Sequence, residues 1–448
     1  WGSVLAFANS SAADKNVFIS TSSIALGNST ITALNTASGG GVSIGSGNNV
    51  NAAMYSVAIG IGNKVASAGN STDGFSLALG AGNLASGTQT MAIGVSSQAT
   101  AMYATAIGKQ AFAQAESAIA LGTVATAAGA NAIALGTNAN VAGTNAIGIG
   151  LGANVAGANS IGLGANANAS VTSTIAIGLN ANTSASNALS IGSNATATTG
   201  GGVAIGSGAN SAASEGIAIG ATTKAIGNQS TVIGNDVNTS LTAIQAVVIG
   251  SNFNSNQTTT TGKGGVSIGS GLGATFKSPT ANGIGSVAIG TSGDGTATSN
   301  NYNGAVATGD HSLALMAGAN AIGLSSIAAG VGATSASANT IALGGGASAT
   351  QYASTAIGNA AIANGTKLTA STTKDGSATA IGDGANASGY STTALGALSQ
   401  ATQDFAIAIG RAQAKNYSSI AKSNKAQATA DYANAIGFGA QAQGRLST

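Results

Sequence analysis

The sequence predicts an all-β protein, a parallel β-roll (β-solenoid) whose coils repeat with a step of 14. Three observations predict it. First, the glycine that closes each "AIG" or "ALG" phrase returns at that constant step, from Gly80, Gly94 and Gly108 through Gly122, Gly136, Gly150, Gly164, Gly178, Gly192, Gly206 and Gly220 to Gly234. Second, large aliphatic residues stand one and three places before it: Ile133 and Leu135, Ile147 and Ile149, Ile175 and Ile177. Third, the chemistry is sparse. Charged residues are 5% of the 448, against roughly 25% in ordinary domains, aromatics are 4%, and there is no cysteine.

The elements of one repeat follow in order. A recurring asparagine (Asn131, Asn145, Asn159, Asn187) precedes the first strand; asparagine tolerates left-handed backbone angles, and stacked copies can form ladders. The aliphatic pair alternates with period two, which is a strand and not a helix. The glycine marks a turn. Small apolar residues three and five places later form a second alternation, Ala139 and Val141, Ala153 and Val155, and Ala209 with Ala212 shifted by one. A second turn then closes the coil. Coils stack with parallel pairing roughly 4.7–4.9 Å apart.

The facing of these strands carries an expectation about assembly. Placing the isoleucines inside the coil, against alanines of the second strand, turns the residue between them outward. That row reads Ala134, Gly148, Gly162, Ala176, Ser190, Ala204, Ala218 and Ala288. A long outward stripe of small uncharged residues is expected where another copy lies close.

Four regions follow from the spacing. Residues 1–79 hold irregular N-terminal coils, 80–250 the regular repeats, 251–329 repeats with insertions, and 330–448 repeats with one insertion at 359–380 and a looser end. The step resumes at Gly330, Gly344 and Gly358, and Met316 stands where a glycine is expected.

The phrases Ser56-Val57-Ala58-Ile59-Gly60, Gly285-Ser286-Val287-Ala288-Ile289-Gly290 and Asn159-Ser160-Ile161-Gly162-Leu163-Gly164, with "YSSIAKSNKAQATADYANAIG" near the end, resemble the head repeats of the YadA-like trimeric autotransporter adhesins. The resemblance covers nearly the whole chain. It implies a left-handed roll and a side-by-side homotrimer. It also implies a cell-surface head that binds host matrix, cells, other bacteria or abiotic surfaces, held in a Gram-negative outer membrane by a C-terminal anchor. No neck motif, heptads, anchor or signal-like segment is found here, so a head fragment is expected. The alternatives are a purely structural spacer, an ice-binding-type solenoid and, last, a left-handed β-helix acyltransferase, whose hexapeptide turns do not match a step of 14.

Other chemistry is expected to be absent. Gly41-Val42-Ser43-Ile44-Gly45 and Gly265-Val266-Ser267-Ile268-Gly269 match a nucleophile pattern, but His311 is the sole histidine. The GxG phrases open no helix and lack a following GK[ST]. No catalytic residue, cofactor or metal is expected. Thirteen scattered cations with a net charge of +2 are too few for nucleic acid; the mild excess at Arg411, Lys415, Lys422 and Lys425 reads as solvated surface. Binding is expected in the loops where spacing breaks, at Phe253, Lys263, Phe276, Lys277, Tyr302, Lys367 and Lys374, because insertions in repeat proteins map to loops and loops carry function.

Overall fold

In the computed structural model the described residues are 16–18, 24–26, 35–37, 41–51, 55–66, 75–251, 258–271, 277–292, 302–365 and 376–448. They divide into two units, Trp1–Ala209 and Asn210–Thr448. Each is a β-solenoid, and among the described residues there is no helix.

The coil Ile175–Ile177, Asn182–Thr183 shows the plan. A longer strand of three residues ends at Gly178, a first turn follows, and a short strand of two residues leads to a second turn. Corresponding strands of successive coils pair in parallel and in register. Ile133 lies beside Ile147, Ala134 beside Gly148 and Leu135 beside Ile149; on the short strands Asn140 lies beside Asn154. Each unit therefore has two sheets back to back, one of longer and one of short strands. In the second unit the short-strand sheet is interrupted between Thr258–Thr260 and Thr280–Ala281.

Glycine at the end of the longer strand has a steric cause. Gly178 has φ +128°, and a Cβ on it would lie 2.5 Å from the carbonyl oxygen of Gly192 in the next coil. Only a residue without Cβ combines that dihedral with that approach. Met316 and Ser423 occupy the equivalent place with φ 81° and 100°. The turn asparagines also behave as expected: Asn131, Asn145, Asn159 and Asn187 have φ between 54° and 59°.

The facing of the longer strands is the reverse of the expectation. Ala134, Ala176, Ala204, Ala218 and Ala288 are fully buried within their own chain, as is Ser190, and Gly148 and Gly162 are buried beside them. The proposed interface row is thus the interior of the roll. The aliphatic residues on either side point out: Leu121 is 40% exposed and Leu163 42%. In the regular coils the interior is mostly alanine against alanine, and larger buried residues enter at Val50, Val65, Val232, Val237 and Val248. At two regular coils where the short strand carries valine, the longer strand gives way. A Cβ on Gly148 would sit 2.4 Å from Val141 Cγ2, and one on Gly162 2.5 Å from Val155 Cγ2. This is the reason that "IGIG" and "IGLG" replace "IAIG" at those coils. The short strand keeps its phase throughout: Ser211, not Ala212, is the buried residue after Ala209.

The first coils close differently. Asn48, Asn63 and Asn83 are fully buried at the place where later coils have alanine. Asn63 Nδ2 donates to the Ile59 and Gly80 carbonyls at 3.0 and 2.8 Å, and its backbone N–H donates to Asn48 Oδ1 at 2.9 Å. A buried amide is stable only with such partners.

Candidate functional site

The two outward faces of the roll differ in kind. The longer-strand face carries two apolar side chains from nearly every coil, from Val42 and Ile44 to Val203 and Ile205 in the first unit. In the second unit it runs from Ile217 and Ile219 to Ile407 and Ile409, with threonine at Thr355, Thr379 and Thr393, and it breaks at Lys422 and Asn434. A soluble monomer rarely exposes a contiguous apolar patch above a few hundred Å², so this face is a candidate interface.

The short-strand face is polar. Asn140 Nδ2 donates to Asn154 Oδ1 at 3.1 Å, Asn154 to Asn168 at 2.9 Å, and Asn168 to Asn182 at 2.7 Å. Parallel, in-register stacking places identical amides one coil apart, which lets each donate to the next. The turns repeat the device: Asn131 donates to Asn145 at 2.9 Å and Asn145 to Asn159 at 3.2 Å.

The expected binding loops are only partly in view. Phe253, Phe276, Lys367 and Lys374 lie outside the described residues. Lys263 is exposed but belongs to an ordinary second turn, Gly262 to Gly264, and not to an insertion. Lys277 is exposed, and its N–H donates to Asn303 Oδ1 at 3.0 Å. Tyr302 lies across Gly318 and Gly332, where an added Cβ would meet its ring at 2.6 and 3.2 Å.

The nucleophile patterns carry no chemistry. Ser43 and Ser267 are buried inside the roll, and Ser267 Oγ donates to the Pro279 carbonyl at 2.6 Å. His311 occupies an exposed turn with φ 55°. Among the described residues no group of three or more His, Asp or Glu side chains is placed to hold a metal ion.

Two features near the end of the second unit escaped the sequence reading. On the second turns, Tyr390, Phe405, Tyr417 and Tyr432 form a ladder of edge-to-face rings with centroids 5.4, 5.6 and 5.5 Å apart. On the opposite edge, a groove of about 590 Å³ runs past Arg411 and Lys425. Their sequence signals were present: an aromatic in each of four successive turns, and glutamine at Gln400, Gln413, Gln427 and Gln441.

Six segments of the chain match the family model of the YadA head domain repeat: residues 85–111, 113–139, 156–181, 213–236, 376–399 and 387–412. They fall in both units. No curated protein matches the chain.

Proposed function

We propose, from the premise that this chain carries YadA head domain repeats, that it forms the head of a trimeric bacterial surface adhesin. Three copies pack side by side through their longer-strand faces. The polar short-strand faces and the turns look outward and meet the ligand. The single observation that supports this most is the pair of aliphatic side chains that nearly every longer strand turns outward, opposite an amide ladder on the short strands. The matched head repeats support a cell-surface position, and outer-membrane anchoring belongs to the same reading. The function is binding and not catalysis. Each contact can be weak, because three linked copies raise avidity without new contacts.

The test is sedimentation and attachment together. Wild type is expected to sediment as a trimer and to adhere to one or more of matrix proteins, cells and plastic. Ile175→Arg, Ile177→Arg and Ile191→Arg combined put cations on the apolar face, and the variant is expected to sediment as a folded monomer with attachment sharply reduced. A wild-type chain that stays monomeric, or a triple variant that remains trimeric, overturns the assembly; a trimer that adheres to none of the surfaces overturns the adhesin reading.

A further inference from the structure

The repeat slips once near the end of the second unit. The step from Gly396 to Gly410 is 14, from Gly410 to Ser423 it is 13, and from Ser423 to Gly437 it is 14 again. The missing residue comes out of the first turn. Most coils place two residues between the glycine and the next buried position, as Ala397 and Leu398 do before Ser399; here Arg411 alone stands between Gly410 and buried Ala412. The turn is tight, with Ala412 N–H donating to the Gly410 carbonyl at 2.9 Å. The ridge of turns is lowered by one residue, and the groove lies at that place.

Each of four coils gives the groove a turn residue and a glutamine. The turn residues are Leu398, Arg411, Lys425 and Gly439. The glutamines pair in register, Gln400 with Gln413, Gln413 with Gln427 and Gln427 with Gln441. Unlike the asparagine ladder of the first unit, this one is open: the side-chain amides of Gln400, Gln413 and Gln427 make no hydrogen bond among the described residues, and Gln441 only accepts from Gln443 at 3.2 Å. Arg411 and Lys425 are exposed and have no ion pair among the described residues, although Lys425 Nζ stands 5.7 Å from the Phe438 ring centroid. No carboxylate lines the groove. Asp383, on the same edge one coil beyond Leu398, accepts from Asn359 at 3.1 Å.

We propose that this groove binds an anionic glycan, a sugar chain carrying sulfate or carboxylate groups. Arg411 and Lys425 come from adjacent coils, whose backbones lie roughly 4.7–4.9 Å apart, so both reach one anionic group. The guanidinium offers paired donors that fit a sulfate or carboxylate edge. The free amides provide donors and acceptors for sugar hydroxyls. The groove volume falls within the range of about 300–1,000 Å³ that small-molecule sites occupy. Nucleic acid fits less well, because two cations are few and no aromatic residue lines the groove to stack a base. An anionic membrane fits less well too, because the charges lie in a recess and Leu398 is its one large apolar residue.

The inference names a ligand class for the adhesin head and rests on that reading for its biological meaning; a solution assay keeps the two failures apart, since it requires neither attachment nor a count of subunits. Binding of a heparin-derived tetrasaccharide is measured by calorimetry on the full chain, beside a neutral tetrasaccharide such as maltotetraose, a single-stranded oligonucleotide and phosphatidylserine vesicles. The sulfated sugar is expected to bind, and the other three not to. Arg411→Gln with Lys425→Gln is expected to weaken binding about tenfold or more, the size of a lost charge-assisted contact. Lys415→Gln, beyond the short strand on the other edge, is expected to leave it unchanged. Circular dichroism and melting report folding of each variant, and both substituted side chains are exposed. No binding by wild type, equal binding by the folded double variant, or equal binding of the neutral sugar, the oligonucleotide or the vesicles overturns the proposal.

Discussion

The two faces of the roll come from the same repeated phrase and do opposite things. On the longer strands, Ile175 and Ile177 point out and Ala176 points in; on the short strands, Asn168 and Asn182 point out while Ala169 and Thr183 point in. The interior accepts small residues from both sides. Only the outward positions are free to differ, and they differ by face: aliphatic on one, amide on the other. In a roll this thin, identity is written on the outside and the core is nearly constant.

The strongest way to break the comparison is to exchange its sides within one strand. Ala176→Arg buries an unpaired charge against the opposite sheet, with no room for the side chain. A loss of about 4 kcal/mol or more is expected, among the largest effects of single substitutions, read as collapse of the β-sheet circular dichroism signal or a large fall in melting temperature. Arginine at the neighbouring Ile175 or Ile177 is expected to leave a folded chain. If Ala176→Arg melts like wild type, the longer strand faces the other way.

A second substitution sharpens the backbone side of the argument. Gly178→Ala adds a Cβ that meets the Gly192 carbonyl oxygen at 2.5 Å at a φ of +128°, whereas Gly62→Ala, at φ +64°, meets nothing within 4 Å. The first is expected to cost about 3 kcal/mol and the second about 1 kcal/mol, the cost of a left-handed dihedral alone. Paired thermal melts check the order; equal shifts would show that the close approach between coils is not what demands glycine.

The smallest effect is expected on the polar face. Asn154→Ala removes the bond to Asn168 and the one from Asn140. Both are near solvent, so a loss of about 1 kcal/mol is expected, with sedimentation unchanged. A change in subunit number on this substitution would place the polar face, not the apolar one, between copies.

Much of this was legible in the chain. The step of 14 gave the coil, the period-two alternation gave its strands, and the asparagines before the longer strand gave left-handed turn positions that the dihedrals bear out. The groove was not legible, although Arg411 and Lys425 had been noticed, because two cations a full coil apart along the chain become neighbours only when coils stack in register. Lys415 and Lys422, from the same cluster, go to the other edge and to the apolar face. One signal of the true facing was available: glycine replaces alanine at Gly148 and Gly162 where valine appears at Val141 and Val155, a compensation expected only of residues packed against each other.

By itself the sequence determined the period, the parallel register and the need for glycine at the end of nearly every longer strand, since these are local demands of a chain that returns on itself once per repeat. Only the tertiary structure decided which half of the alternation lies inside. Alternation defines two faces without ranking them, and the habit of placing large apolar residues in the core ranks them wrongly here. A regular coil holds its two sheets so close that the interior takes mostly alanine against alanine, or valine against glycine, and the isoleucines face outward.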